Sequence, residues 1–191
     1  MDILFLKNYI DRHKNQPFLV CGLGTSLDQY PVDFYQKWKG VTIGVNEIED
    51  LFIPDYRLNV NSYHDKDYYA LLDKQGQEIR YEYTSPSDTV DIEKTGRLTM
   101  CGSGIVPAIS AAYQMGAREI FIIGVDFKKN KEGRIYWSGC RKPEPDYYQL
   151  SDEKNPETQA TLRCIRHMAK EYRNAGVEIY NLSENSLLGG L

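Results

Sequence analysis

Residues 18–27 have the sequence Phe18-Leu19-Val20-Cys21-Gly22-Leu23-Gly24-Thr25-Ser26-Leu27. The first four residues form a short apolar run, as in a buried strand, and the glycines after it indicate a tight turn. Residues 32–38 favour a short helix, and the β-branched residues 41–45 predict a second strand that ends at Asn46. Together these segments predict a βαβ unit with parallel strands.

Strand and helix patterns continue on both sides of this unit. Before it, residues 2–14 carry apolar side chains at helical spacing and predict an amphipathic helix. After it, residues 56–60 and 79–83 alternate like strands, and residues 65–74 predict a helix between them.

A second glycine pair, Gly102-Ser103-Gly104, precedes an alanine-rich helix at residues 105–115. The continuous apolar run at residues 119–127 then predicts a buried parallel strand, with Asp126 at its C-terminal end. The remaining elements are a helix at residues 157–175, capped by Gly176, and a strand at residues 177–182.

The pattern as a whole predicts one Rossmann-like α/β domain over residues 1–191, with a mostly parallel sheet flanked by helices. Residues 128–156 are charged, aromatic and proline-containing, without clear periodicity. Because this segment is longer than an ordinary connection, we interpret it as a lid over a binding site. Arg134, Arg141 and Lys142 make it locally basic, which suits closure over a phosphorylated ligand; a solvated charged loop is the alternative.

The composition argues against several classes of protein. The chain has 191 residues, 41% of them hydrophobic and 26% charged, and a formal net charge of −4, which argues against general nucleic-acid binding. No apolar stretch approaches the roughly 20 residues that cross a bilayer, and the N-terminus lacks the pattern of a secretory signal. We therefore expect a cytoplasmic protein without a transmembrane segment, in which four single cysteines stay reduced: Cys21, Cys101, Cys140 and Cys164.

Ligands of open parallel sheets bind beyond the C-terminal ends of the strands, where backbone N–H groups can point at anions. Residues 22–27, residues 102–104 and Asp126 meet that description, and both glycine loops can bring backbone donors to a phosphate. The alternative is that the glycines only turn the chain. No Gly-Lys-Ser/Thr follows either loop, which excludes a P-loop, and Leu27 replaces the third glycine of a dinucleotide fingerprint.

Several motifs, taken in order, resemble those of a known family. The chain resembles the bacterial sialyltransferases of glycosyltransferase family 42 and the related group of flagellin-modifying glycosyltransferases and archaeal hydroxymethyl-dihydropterin diphosphokinases. The resemblance extends from about Phe18 to Leu188. The motifs that carry it are residues 21–27, Gly44-Val45-Asn46, Ser103-Gly104, Gly124-Val125-Asp126-Phe127 and residues 180–188.

The sialyltransferase resemblance implies a metal-independent, inverting transfer of a CMP-activated nonulosonic acid to a glycan acceptor, in surface glycan synthesis. It also implies roles for individual residues. Tyr136 lies where the family has a tyrosine that hydrogen-bonds the leaving phosphate. The implied nucleotide-binding residues are Gly22, Gly24 and Ser26 at the phosphate, Asn46 at the donor, Ser103 and Gly104 near the nucleotide, Asp126, which holds the ribose or orders the site, and Asn185 and Ser186 around the cytidine.

Two departures from the family affect catalysis. Lys128 replaces a phosphate-binding tyrosine, and a lysine can still neutralise a leaving phosphate. Asp152 is the nearest counterpart of the family's histidine base, because a carboxylate can accept a proton from a sugar hydroxyl. Glu153 or Asp146 could take the same role.

The sequence is also compatible with two other functions. One is a diphosphokinase that uses ATP and Mg²⁺, for which Asp126 is the first candidate metal-facing carboxylate and Asp55 the second. Another is a nucleotide-binding module without catalysis, because the lid histidine is missing. The leading hypothesis needs no metal cofactor, and the resemblance also suggests a homo-oligomer.

Overall fold

An eight-stranded sheet forms the centre of the structure, a computed structural model that describes residues 4–63, 66–84, 90, 92–141, 154–184 and 186–191. The structure also contains a separate two-stranded sheet. The strands are β1 Leu4–Phe5, β2 Gln16–Cys21, β3 Val41–Val45, β4 Tyr56–Tyr63, β5 Lys66–Asp73, β6 Glu78–Arg80, β7 Glu82–Thr84, β8 Arg97–Thr99, β9 Ala117–Ile123 and β10 Glu178–Asn181. The helices are α1 Val32–Gln36, α2 Ile105–Gln114 and α3 Pro156–Asn174, with 3-10 helices at Leu6–Tyr9, Thr25–Gln29 and Asn46–Asp50.

The order of strands in the large sheet is β1-β6-β5-β4-β3-β2-β9-β10. The segment β4-β3-β2-β9-β10 is parallel throughout, whereas β5 runs antiparallel to both β4 and β6. From β2 the chain first builds outward through β3 to β4, and later returns to the other side of β2 with β9. The order of strands therefore reverses between β2 and β9, and such a switch point is where open α/β sheets bind ligands. The predicted α/β class with a mostly parallel sheet is confirmed.

Both faces of the central strands are buried, which explains their continuous apolar sequences. Successive residues of a strand point to opposite faces. In β2, Phe18 and Val20 belong to the cluster that includes α2, and Leu19 and Cys21 belong to a second cluster on the opposite face. Every residue of α2 is buried, and its alanines let the helix approach the sheet closely.

The last helix begins and ends as the sequence predicts. The side chain of Asn155 accepts hydrogen bonds from the backbone N–H groups of Glu157 and Thr158, at 2.8 and 3.3 Å, and Pro156 occupies the first turn. Gly176 follows the helix with a φ of +83°, a conformation that favours glycine.

The helix predicted at residues 65–74 is wrong, because β5 occupies this segment. Its backbone pairs with β4 from Lys66 to Asp73, and a turn at residues 74–77 leads into β6. Tyr69, Leu71 and Leu72 suit a helix face and a strand about equally, so the long-range pairing with β4 determines the outcome.

The helix predicted at residues 2–14 is also wrong. The described part of this segment contains β1 and the 3-10 helix Leu6–Tyr9, and Asp11 has a φ of +53° that ends any helix. The backbone N–H groups of Asp11 and His13 instead donate to the carbonyls of Gln114 and Met115, at 3.1 and 2.9 Å. The segment thereby satisfies carbonyls at the end of α2 that have no partner within that helix.

Across the described ranges, none of the helices has the length and apolar character needed to cross a membrane. All four cysteines lie in described segments and are free thiols.

Candidate functional site

A cavity of about 270 Å³ opens at the C-terminal ends of β2, β3 and β9, at the switch point of the sheet. It is enclosed by the loop after β2, the start of α2 and the loop after β9. These are the segments that the sequence predicts to converge. The residues that line it are Gly22, Leu23, Gly24, Val45, Asn46, Val60, Gly102, Ser103, Gly104, Ile105, Gly124, Val125, Asp126, Phe127, Lys128, Ile135 and Tyr136.

The glycines of the first loop allow it to lie directly against the loop after β9. The N–H of Gly22 donates to the carbonyl of Ile123 and the N–H of Gly24 to that of Gly124, both at 2.8 Å. A Cβ atom on Gly22 would lie only 2.3 Å from the carbonyl oxygen of Gly124, and one on Gly24 would lie 2.6 Å from Oδ2 of Asp126. These glycines are therefore required for packing at the edge of the cavity as well as for the turn.

Asp126 is 6% exposed and is held by the first glycine loop. Its Oδ2 atom accepts hydrogen bonds from the N–H of Ser26 at 2.8 Å and from the hydroxyl of Thr25 at 3.1 Å. Its Oδ1 atom is buried and has no hydrogen-bond partner in the described part of the chain. Buried carboxylate oxygens normally have partners, so Oδ1 can accept a hydrogen bond from a hydroxyl group of a ligand.

The hydroxyl of Ser26 is occupied by the protein and does not line this cavity. It accepts a hydrogen bond from the N–H of Gly124 at 3.0 Å and shares another with the hydroxyl of Ser183 at 2.7 Å. Ser183 was not among the predicted site residues, because nothing in its local sequence indicates a partner 157 positions away. The available signal is its position two residues after the last strand, at the C-terminal edge of the sheet.

Asn46 turns the chain at the end of β3 with a φ of +54°. Its Oδ1 atom accepts a hydrogen bond from the N–H of Val60 at 2.7 Å, which fixes the side chain against β4. Its amide nitrogen donates to no group in the described ranges and is available to an acceptor on a ligand.

The loop before α2 brings the start of a helix of ten residues to the cavity. Ser103 and Gly104 both line it. In the first turn of α2, the N–H of Val106 donates to the carbonyl of Ser103 at 3.1 Å and Pro107 has no N–H, which leaves the N–H of Ile105 for a ligand. A Cβ atom on Gly104 would lie 2.5 Å from Cγ2 of Val60, so glycine allows this loop to reach the ends of β3 and β4. The helix start then offers the cavity the positive end of the helix dipole.

Residues 136–141, which belong to the predicted lid, are docked across the first glycine loop. Tyr136 lines the cavity and forms a β-bridge with Gly24, and the N–H of Trp137 donates to the carbonyl of Leu23 at 3.0 Å. Farther along, Nε of Arg141 donates to Asp50 at 2.6 Å, and this contact lowers the pKa of the Asp50 carboxyl.

The remaining predicted site residues lie in different parts of the structure, and only some of them line the cavity. Lys128 lines the cavity, and the hydroxyl of Ser186 lies outside it, donating to the carbonyl of Val125 at 2.5 Å. Asp55 accepts hydrogen bonds from the N–H and hydroxyl of Thr42 at the start of β3, so it lies at the opposite edge of the sheet and does not face the cavity. The candidate bases Asp152, Glu153 and Asp146 and the nucleotide-binding candidate Asn185 lie outside the described residues.

No protein-family model, no curated protein and no solved structure matches this chain. Among the residues with a described structure, histidine, cysteine, aspartate and glutamate side chains do not gather in any group of three or more that could hold a metal ion.

Proposed function

We propose that the chain is a glycosyltransferase that binds a nucleotide-linked sugar in the cavity at the switch point. The donor is a CMP-activated nonulosonic acid, as the resemblance to family 42 sialyltransferases implies. The observation that carries the proposal is the buried Oδ1 atom of Asp126, which has no hydrogen-bond partner among the described residues and lies between two glycine loops.

The lining of the cavity supports a nucleotide as ligand. The start of α2, with Ser103 and Gly104, suits a phosphate group, and Oδ1 of Asp126 suits a ribose hydroxyl. Asn46 adds an amide donor for the base or the sugar. The volume of about 270 Å³ is close to the lower end of the range for small-molecule sites.

The proposed reaction is a single displacement at the anomeric carbon of the donor sugar. An acceptor hydroxyl oxygen forms the new bond to that carbon, the bond to the phosphate oxygen breaks, and CMP leaves with the electron pair. Lys128 and Tyr136 stabilise the negative charge on the leaving phosphate. The proton of the acceptor hydroxyl passes to a carboxylate, for which Asp152 is the candidate.

The test is a thermal-shift screen of CMP, CDP, UDP, GDP, AMP and ATP, each with and without Mg²⁺. A ligand at about 100 times its Kd adds roughly 2.7 kcal/mol to the free energy of unfolding, which shifts the melting temperature of a domain of this size by several degrees. We expect a shift with CMP that does not depend on Mg²⁺. Turnover is then measured as release of CMP from CMP-linked nonulosonic acids.

Asp126→Asn tests the observation that carries the proposal. This substitution retains the shape of the side chain but weakens acceptance from a ribose hydroxyl, so we expect about tenfold weaker binding of CMP. Asp33→Asn is the matched control, because Asp33 is on the surface and its carboxylate contacts Lys37, the residue after α1. An ATP shift that requires Mg²⁺ would favour the diphosphokinase, and CMP binding without release of CMP from any such donor would favour a non-catalytic module.

A further inference from the structure

A second cavity, of about 500 Å³, adjoins the first. Asp126 and Lys128 line both cavities, so the side chain of Asp126 lies at their boundary. The remaining lining residues come from the 3-10 helix after the first glycine loop and from the start of the lid. They are Thr25, Ser26, Asp28, Gln29, Lys129, Asn130, Lys131, Glu132 and Arg134.

Four cationic side chains and three carboxylates line the second cavity, which gives it a formal net charge of +1, although the whole chain has a net charge of −4. Lys128, Lys129 and Lys131 form no ion pair with any described residue. Two of the carboxylates, those of Asp28 and Glu132, lie at 3.7 and 3.8 Å from the guanidinium of Arg134. The Asp28 carboxylate already accepts hydrogen bonds from the N–H and hydroxyl of Ser138. The lysine charges are therefore left for an anion, and an anionic ligand would relieve their mutual repulsion.

The loop that carries the lysines has a defined shape. Oδ1 of Asn130 accepts hydrogen bonds from the N–H groups of Glu132 and Arg134, at 3.0 and 2.9 Å. The N–H of Asn130 donates to the carbonyl of Arg134 at 2.9 Å, which closes the turn. The loop therefore presents Lys129 and Lys131 next to the cavity without a ligand to order it.

Asp126 adds a requirement that a simple anion cannot meet. Its unpartnered Oδ1 atom needs a hydrogen-bond donor, and an anion such as phosphate would be repelled by the carboxylate. A ligand that satisfies both the lysines and Asp126 must carry an anionic group at one end and hydroxyl groups at the other. Sugars and polyols with a phosphate or carboxylate group have this chemistry.

We infer that the second cavity binds an anionic sugar or polyol as a ligand separate from the nucleotide. Its anionic group lies against Lys129 and Lys131, and a hydroxyl group donates to Oδ1 of Asp126, which has two lone pairs and can accept this hydroxyl as well as a ribose hydroxyl of the nucleotide. Binding does not depend on the proposed function; only the role of this ligand as the acceptor substrate rests on it. The volume of about 500 Å³ is within the range for small-molecule sites.

The experiment is a calorimetric titration with glucose 6-phosphate, glucuronate, glucose and inorganic phosphate in 0.15 M NaCl. Glucose is the uncharged parent of both anionic sugars. Comparing glucose 6-phosphate with glucuronate shows whether the site prefers a phosphate or a carboxylate group. We expect at least one of them to bind about tenfold more tightly than both glucose and inorganic phosphate. Equal binding of glucose, equal binding of inorganic phosphate, or no binding of either anionic sugar would overturn the inference.

Charge-reversal variants test whether Lys129 and Lys131 bind the anionic sugar. Lys129→Glu with Lys131→Glu should weaken binding of the anionic sugar at least tenfold. The control is Lys14→Glu with Lys39→Glu, which changes the net charge equally at exposed lysines that line neither cavity. A control effect as large as that of the test pair would show a general effect of net charge and overturn the inference. Melting temperatures close to that of the wild type show that both variants fold.

Titration with CMP separates this inference from the proposed function. We expect Lys129→Glu with Lys131→Glu to bind CMP within about twofold of the wild type, because screening at this salt concentration has a length of about 8 Å. Binding of the anionic sugar without any binding of CMP would overturn the proposed function and leave the second site standing. Competition between CMP and the anionic sugar for one site would overturn the inference.

Discussion

Asp126 is oriented before any ligand arrives. One carboxylate oxygen is held by Ser26 and Thr25, and the other is buried without a hydrogen-bond partner in the described structure, in a residue that lines both cavities. A ligand that bonds to it does not have to order the side chain first, so less conformational entropy is lost on binding. The same arrangement makes Asp126 sensitive to changes in the residues that position it.

His13 provides a pH-dependent test of the packing around the starts of β2 and β4. Its Nε2 atom lies 2.7 Å from the hydroxyl of Tyr56, and burial, followed by the charge of Arg12, lowers the pKa of His13 below 6.5. Because the folded pKa is the lower one, the stabilisation is complete above pH 6.5 and is lost as the pH falls through the folded pKa. Urea unfolding of the wild type should show this loss.

His13→Gln is the comparison for that experiment, since glutamine can keep a hydrogen bond to Tyr56 but does not titrate. The difference in free energy of unfolding between the two proteins should change below pH 6.5 and stay constant above it. A difference that is flat over the whole range would contradict the lowered pKa.

Cys101, next to the second glycine loop, should be unusually reactive. A hydrogen bond from the thiol of Cys164 lowers the pKa of Cys101 to about 7, and the same contact raises the pKa of Cys164. About half of Cys101 is therefore thiolate at pH 7, against a few per cent of an ordinary thiol. Mass spectrometry after brief treatment with iodoacetamide should find Cys101 modified before Cys140. Cys164→Ala should remove this advantage, and unchanged labelling of Cys101 in that variant would contradict the explanation.

At the scale of elements, the site is formed by loops that pack against each other without side chains between them. The loops after β2 and β9 are joined by backbone hydrogen bonds at Gly22 and Gly24. Residues 136–141 then cover the first of these loops. The position of Asp126 therefore depends on the close contact of two backbones, which only small residues permit.

Gly24→Ala should disturb this contact. The new Cβ atom would lie 2.6 Å from Oδ2 of Asp126 and 2.9 Å from the backbone of Gly124, so one of the loops must move. We expect the free energy of unfolding to fall by about 1–3 kcal/mol and CMP binding to weaken. Gly190→Ala is the matched control, because a Cβ atom there meets nothing within 4 Å. Urea unfolding measures both, and equal stability of the two variants would show that the loops can separate freely.

Elements with a strong local pattern could be predicted from the sequence, and those defined by distant partners could not. The apolar runs of β2, β3 and β9 and the capped α3 have local signals, as do the glycine loops and Asp126. Strand β5 has none, because Tyr69, Leu71 and Leu72 fit a helix as well as a strand. The contact of Ser26 with Ser183 and the shared position of Lys128 between two cavities likewise depend on the tertiary fold.

For the whole molecule, β2 is the centre of the structure. It pairs with β3 on one side and with β9 on the other, and both its faces are buried. Its backbone amides can therefore exchange with solvent only when the entire sheet opens. By contrast, β1 and β6 lie at or next to the edge of the sheet and contribute short pairings.

Hydrogen exchange followed by NMR should show this hierarchy. The amides of Leu19, Val20 and Ile122 should exchange at the rate set by global unfolding, and that of Arg80 should exchange faster through local opening. Equal protection at all four positions would mean that the edge strands open only with the centre, and slower exchange at Arg80 would contradict this hierarchy.

The pairing of β2 with β9 also has a consequence for how the protein is made. A ribosome releases β2 about a hundred residues before β9, so a nascent chain can form the pair of β2 and β3 but leaves the other side of β2 open. That open side is an apolar edge of the kind that pairs with other chains. Truncated products that end before residue 117 should accordingly aggregate, and slower synthesis at low temperature should not rescue them, since the missing strand never arrives.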